Sequence, residues 1–458
     1  MRKLFFLILA LTLLYYTARG MLKFSGIHYS GFNVILLVIL FIFLNSSKKA
    51  FWFIGFPISL AYSIYAPIGS LFGRITYRSV ASLLATDAVE SKEFFKLIPL
   101  ENYTYPVLLI GALLLSRFIL CKNKIYLHKN KTLIIIFIII AMIKQSPFAF
   151  FNDIYSASSN VKKELSFLRS MDKHNSWSDY AEKVSNLSKY TNYVLVIGES
   201  ARKDYLNAYG YPVNNTPFMS SSNGVLVDGL MAGGISTVES LRLMLTKPNV
   251  DLWEPNYKLN VIDLARSAGF KTYWVSNQGF GGDYETPVTT IARRADIKKF
   301  FKIGSAASIN TSDFELLPEF EKIVKNNTEK KLIVLHLYGS HVNACERIKD
   351  FEKKIYCKNP LYKYFGCYVT SIAKTDMFLE KVYKILKNEE IKNNKTFSMI
   401  YFSDHGQSHS IDKGKYVLMH LNNSGQPTVS NYNIPLFKVS SYDNKQIKCK
   451  SFKSGLNY

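Results

Sequence analysis

Five apolar stretches crowd the first third of the chain, at about 4–20, 31–45, 51–67, 105–121 and 132–146, and they limit its fold more than any other feature. Each approaches the roughly 20 residues that a helix needs to cross a bilayer. Arg2 and Lys3 before the first stretch would also suit a secretory signal peptide, but the apolar segments that follow favour a retained helix. Basic residues mark alternate ends of the stretches: Arg2 and Lys3, Lys48 and Lys49, then Lys122, Lys124, Lys129 and Lys131. That pattern places the N-terminus in the cytoplasm. Five crossings then put everything after about residue 147 outside, the periplasm of a Gram-negative cell, with the chain multi-pass in the inner membrane.

The first long outer loop, 68–104, mixes charges with apolar pieces such as Phe94-Phe95. It reads either as a solvated loop or as amphipathic segments that lie at the interface and help to seat a lipid. Beyond it and the last stretches, the texture changes to alternating strand and helix. Strands are predicted at 193–197, 271–276, 331–337, 397–402 and 434–439, and helices after Thr237 and around 258–268, 313–326 and 369–387. This rhythm predicts an α/β sandwich with a mostly parallel central sheet. The expected organisation is a helical transmembrane domain of about five helices over 1–147, a bridging or interfacial helical linker over 148–190, and an α/β domain over 191–458.

A net charge of +23 would ordinarily raise nucleic acid as a partner. Several membrane spans and an exported domain argue against it. Anionic membrane lipids and phosphorylated glycolipids fit the charge better.

Chemistry concentrates at three places. Ser403-Asp404-His405-Gly406 follows the apolar run 397–402, so a carboxylate and an imidazole stand together at a strand tip. Zinc accepts both ligand types at about 2.0–2.2 Å, and Gly406 would let the backbone turn tightly behind them. Far upstream, the run Tyr193–Ile197 leads into Gly198-Glu199-Ser200, which puts Glu199 at an equivalent strand end, where open α/β sheets bind ligands. The bland alternative for Glu199 is a first-turn carboxylate on a helix dipole. Third, Gly233-Gly234-Ile235-Ser236-Thr237 precedes a predicted helix. A hydroxyl there sits among amides that stabilise phosphate, or else Ser236 or Thr237 is a plain N-cap.

Taken in order, Gly198-Glu199-Ser200, Thr237-x-x-Ser240-Leu241, Gly339-Ser340-His341 and Ser403-Asp404-His405-Gly406 resemble the motifs of membrane-bound phosphoethanolamine transferases. These belong to the alkaline phosphatase and sulfatase superfamily and decorate lipid A or core sugars of lipopolysaccharide. The similarity covers most of the chain. It implies a sulfatase-like fold and a Zn2+ cofactor held by Glu199, Thr237, Asp404 and His405. It also implies that Thr237 is the nucleophile, because zinc lowers the pKa of a coordinated oxygen. Attack on phosphatidylethanolamine would leave phosphoethanolamine on Thr237, and lipopolysaccharide or lipooligosaccharide would then accept it. Ser236 is the competing nucleophile, although the spacing to Ser240-Leu241 favours Thr237. His341 and His420 match residues that contact the transferred phosphate. His336 reads as a core histidine or a second-metal ligand, and His409 as a loop residue near the site.

Of the five cysteines, the resemblance points to a Cys357–Cys367 disulfide, with Cys345–Cys449 as a second candidate. An oxidising compartment permits both. Two departures stand out. Relatives acting on lipid A commonly read Pro-Cys where this chain has Arg242 after Ser240-Leu241, so one typical disulfide cannot form. Trp274-Val275-Ser276-Asn277-Gln278 looks more like relatives acting on core sugars. Glu239 and Arg242 have no role that the sequence assigns. The main rival reading is phosphoglycerol transfer from phosphatidylglycerol to a periplasmic glucan or teichoic-type acceptor. A non-catalytic sensor on the same scaffold is a third, and the intact ligand set speaks against it. A free sulfatase is disfavoured, since no Cys/Ser-x-Pro-x-Arg motif surrounds Thr237.

Overall fold

The computed structural model describes residues 2–27, 30–86, 88–125, 136, 148–171, 177–280, 286–303, 312–326, 329–355, 357–412, 414–422 and 426–450. They form two compact units, Met1–Val80 with Phe94–Val161, and Ala81–Glu93 with Lys162–Tyr458.

The first unit is helical. Arg2–Phe24, Lys48–Phe72 and Leu100–Lys122 are long and apolar enough to cross a bilayer, and Gly31–Asn45 is a shorter apolar helix. Expected spans 4–20, 31–45, 51–67 and 105–121 all fall within these helices, whereas 132–146 lies outside the described residues except for position 136. Leu14, Leu37, Phe41, Leu109 and Leu113 are buried between helices. Gly20 permits that contact, because a Cβ there would stand 2.4 Å from Leu109 Cδ2. Phe5, Phe53, Ile64 and Val107 are exposed, as expected of faces whose solvent is hydrocarbon. Arg74 and Asp153 tie this unit together through two hydrogen bonds of 2.8 and 2.6 Å.

The second unit is built on an eight-stranded sheet. Its strands are β1 (Asn192–Gly198), β2 (Gly224–Asp228), β3 (Lys271–Phe280), β4 (Ile297–Ile303), β5 (Lys331–His336), β6 (Phe397–Ser403), β9 (Leu436–Ser440) and β10 (Ile447–Lys450), with β7 (Ser408–Asp412) and β8 (Lys415–Met419) forming a separate hairpin. The sheet order is β10-β2-β9-β6-β1-β5-β3-β4. Parallel pairing runs from β6 through β1, β5 and β3 to β4, and β9 alone opposes its neighbours. Successive residues of the central strands alternate between two apolar clusters. Val194, Val196, Ile333 and Leu335 meet the long helix Lys363–Asn393 and the helix Leu316–Lys325 on one face. Ile197, Trp274 and Val334 meet the helices Thr237–Met244, Val261–Ser267 and Pro287–Arg293 on the other. Burial on both faces explains why β1, β5 and β6 read as continuous apolar runs.

Five strands escaped prediction. β4 is a sheet edge with the sequence Ile-Lys-Lys-Phe-Phe-Lys-Ile, and lysines are what keep an edge from pairing with strangers. β2, β10 and the hairpin strands are only four or five residues long.

The disulfide expectation is corrected. Cys345 is bonded to Cys367, while Cys357 is free and exposed and Cys449 is free on β10 at the far edge of the sheet. Cys367 turns inward at the start of the helix Lys363–Asn393 and meets Cys345, with Cα atoms 4.8 Å apart. Cys357 instead faces Gly366, where a Cβ would lie 3.1 Å from the Cys357 amide. Neighbours on a helix point about 100° apart, so a cysteine seated over residue 366 does not reach residue 367.

Candidate metal centre and catalytic cleft

β1 and β6 are adjacent and parallel, with Gly198 in register with Ser403. The residues that follow each strand therefore leave the sheet side by side: Glu199 from one, Asp404 and His405 from the other. Gly198 is required by a close approach, since a Cβ would lie 2.7 Å from the Tyr401 ring. Ser200 adopts a left-handed φ of 58°, which lets its amide donate to Asp404 Oδ1 at 2.9 Å. Gly406 serves differently from the tight turn expected of it. It does not take up a left-handed φ; its role is steric, because a Cβ would stand 2.1 Å from the Ser430 carbonyl.

The helix Thr237–Met244 starts beside these strand ends. Thr237 Oγ1 donates to Glu199 Oε2 at 3.0 Å. Ser236 is the N-cap by position, yet its side chain caps nothing. Ser240 accepts from the Gly233 amide at 3.1 Å and donates to the Asp404 carbonyl at 2.5 Å, so it fastens the loop that leads to Thr237 to the strand tip. Glu239 accepts from the Ile235 amide at 3.2 Å, and Arg242 pairs with Glu164 at 3.1 Å. These two, unassigned from sequence, hold the Thr237 loop and brace its helix.

Glu199, Asp404 and His405 offer ligand atoms within 4.8 Å of one another, all buried. His405 Nε2 lies 3.4 Å from Glu199 Oε1 and 3.5 Å from Asp404 Oδ2. His405 Nδ1 lies 2.7 Å from the Gly406 carbonyl, and a proton donated there leaves Nε2 free to ligate. Both His405 Nε2 and Asp404 Oδ2 are buried without a hydrogen-bond partner. Electrostatics agree with a cation at this point. Burial pulls the His405 imidazole down, but the Asp404 and Glu199 carboxylates outweigh it and lift it to about 9. Burial, then the Glu199 charge, pushes the Asp404 carboxyl up. Burial also opposes the Glu199 charge, but His405 holds that carboxyl well below the usual range. Two carboxylates and one imidazole with orphaned atoms fit a zinc ion in ligand type.

A cleft of about 130 Å³ opens beside Thr237, with His336, His341, His420 and Gln278 on its wall. His341 stacks on Tyr338 at 4.9 Å, and the His420 ring is 5.0 Å from that of His405. The structure therefore brings the six expected site residues to one place. Sequence reasoning missed several others. Gln278 Nε2 donates to Glu199 Oε2 at 3.0 Å and to the Leu337 carbonyl at 2.9 Å. Ser82 and Thr86, from the segment 68–104 expected as an outer loop, also line the cleft. His409 is a strand residue of β7 rather than a loop residue, held by Tyr205 Oη at 2.9 Å and Arg202 at 3.2 Å.

Comparison with known proteins adds four findings. Residues 191–455 match the family model described as Sulfatase. A putative phosphoethanolamine transferase of Haemophilus influenzae is 41% identical over 420 residues, covering 91% of this chain and 86% of that protein. Phosphoethanolamine transferase OpgE of Escherichia coli is 30% identical over 426 residues, covering 87% and 77%. Among solved structures, the integral membrane lipooligosaccharide phosphoethanolamine transferase A of Neisseria meningitidis shares the fold with a TM-score of 0.62 at 18% identity, over 95% of this chain and 88% of that one.

Proposed function

The chain belongs to the sulfatase family, among its phosphoethanolamine transferases, and from that premise we propose that it moves phosphoethanolamine from phosphatidylethanolamine to a core heptose or lipid A of lipopolysaccharide, through a covalent intermediate on Thr237. In this reading the protein is multi-pass in the inner membrane and its second unit works in the periplasm. One observation carries it: the Thr237 hydroxyl is bonded to Glu199 beside two orphaned ligand atoms, Asp404 Oδ2 and His405 Nε2.

Glu199, Thr237, Asp404 and His405 would hold the metal. Bound zinc supplies Lewis acidity, making the Thr237 hydroxyl acidic enough to act at neutral pH. The chain's own residues do the rest. Glu199 Oε2 accepts the Thr237 hydroxyl hydrogen bond and so aims Oγ1 away from itself, with Gln278 fixing that carboxylate oxygen. First-turn amides that Ser236 leaves uncapped face the phosphoryl oxygens as the positive end of a helix. As Thr237 Oγ1 bonds to phosphorus its proton passes to Glu199 Oε2, its hydrogen-bond partner, the bond to the diacylglycerol oxygen breaks, and a proton from His341 or His420 completes diacylglycerol. The acceptor oxygen then bonds to phosphorus, its proton goes to the histidine, and the Thr237 oxygen leaves with the proton that Glu199 held.

The test is the intact mass of detergent-purified, zinc-loaded protein after incubation with phosphatidylethanolamine or phosphatidylglycerol, with Thr237→Ala beside it. The expected result is a phosphoethanolamine adduct on the wild type alone. A phosphoglycerol adduct would replace the donor, and no adduct with either lipid would overturn the covalent scheme.

A further inference from the structure

Three polar atoms on the cleft wall are buried and unpartnered, and the reaction above uses none of them: Trp274 Nε1, His336 Nε2 and Ser236 Oγ. Their residues are 0%, 3% and 7% exposed. The large majority of buried side-chain donors and acceptors are satisfied, and these three face one cleft, where ligand atoms can reach them. Trp274 and His336 meet edge to face, with ring centroids 5.8 Å apart. Ser236 occupies the position from which serine ordinarily bonds first-turn amides, and it makes no such bond. Burial holds the His336 imidazole down at about 4, so at neutral pH one ring nitrogen keeps a lone pair. Val238, Val288 and Phe300 add apolar wall beside the uncharged Ser276, Thr286 and Thr289, and among the described lining residues there is no carboxylate and no Lys or Arg.

We infer that Trp274, His336 and Ser236 form the subsite for the terminus of the transferred headgroup, and that it takes a small group bearing N–H or O–H donors while rejecting trimethylammonium. The inference rests on Thr237 as nucleophile. Phosphorus must then sit at Thr237, and a diacylglycerol far exceeds a cleft of about 130 Å³, so the small end of the donor is what enters. An indole N–H can only donate, so its partner is an oxygen, on the phosphate or on a headgroup hydroxyl. Imidazole and hydroxyl can accept, and they hold the donors of the terminus. The indole face adds attraction for an ammonium. Each methyl placed on the nitrogen removes one donor and adds bulk, which leaves buried acceptors unpaired, the circumstance in which sites discriminate most strongly.

The experiment is calorimetric binding of O-phosphoethanolamine, phosphocholine and glycerol phosphate to the full-length zinc-loaded protein, the last two being the size and hydroxyl probes. Phosphoethanolamine should bind at least about tenfold more tightly than phosphocholine. That preference should fall to within about twofold in Ser236→Ala and in His336→Phe. Trp274→Phe, which keeps a ring but deletes the N–H, should weaken phosphoethanolamine by about tenfold. Equal affinity for phosphoethanolamine and phosphocholine in the wild type, or a preference untouched in both the Ser236 and His336 variants, would overturn the subsite. Glycerol phosphate binding as tightly as phosphoethanolamine supports it and identifies a hydroxyl terminus. Selective binding with no Thr237 adduct would keep the subsite and sink the transfer reading. Adduct formation with no headgroup preference would do the reverse.

Discussion

Ser240 gives its hydroxyl hydrogen to the main-chain carbonyl of Asp404 at 2.5 Å, across 164 residues of sequence. The same oxygen takes the Gly233 amide at 3.1 Å. One fully buried side chain thus sets the spacing between the loop that carries Thr237 and the strand tip that carries Asp404 and His405. Thr237 and the proposed ligands Glu199, Asp404 and His405 come from elements that share no local structure, and their relative position depends on cross-links of this kind.

Ser240→Ala should therefore lower both zinc affinity and transfer. Leaving a buried amide and carbonyl unpaired costs about 1–3 kcal/mol, which corresponds to a fall of about fivefold to 150-fold. Zinc titration of the purified variant, set beside its transfer rate, checks this. Wild-type values for both would remove Ser240 from the positioning set.

Gly406→Ala tests the steric role assigned to that glycine. The new methyl would meet the Ser430 carbonyl at 2.1 Å, so backbone must move. Overpacking of this type costs about 1–3 kcal/mol, and it falls directly behind His405. A lower thermal midpoint together with reduced zinc content is the expected outcome; an unaltered midpoint would mean that the loop 426–431 yields freely.

Much of this was legible in sequence for a definable reason. Val194, Val196, Ile333 and Met399 lie on strands buried on both faces, and such strands announce themselves as apolar runs. Chemistry at their carboxyl ends then follows from the fold, so Glu199, Asp404 and His405 were found as strand-tip residues. β4 was not legible, because the lysines that protect an edge erase the apolar signal. Gln278 carries no motif of its own, and its contact with Glu199 spans 79 residues. The Cys357–Cys367 pairing rested on the resemblance, and it fails because Cys345, not Cys357, stands where the thiol of Cys367 points.

The disulfide correction makes a direct prediction. Alkylation of denatured, unreduced protein should modify Cys121, Cys357 and Cys449 and spare Cys345 and Cys367 until a reductant is added. Peptide mapping that found Cys357 protected would restore the original pairing. Losing the native bridge, which closes a separation of 22 residues, should cost about 3 kcal/mol by loop entropy.

His336 should make the protein acid-labile. In the folded state burial lowers its imidazole from 6.5 to about 4, whereas the unfolded chain keeps the ordinary value. The unfolded state therefore binds more protons between those limits, and stability rises with pH there. Stated in the acid direction, the contribution is fully present above about 6.5 and is lost progressively as pH falls toward 4. From pH 7 to pH 5 the loss attributable to this one group is about 2 kcal/mol. A bound divalent cation nearby would oppose protonation further and leave the sign unchanged. His336→Asn removes the titrating group, so its thermal midpoint should fall less than that of the wild type between pH 7 and pH 5, whatever its value at pH 7. Parallel pH profiles for the two proteins, both zinc-loaded in the same detergent, would show that His336 is neither buried neutral nor linked to folding.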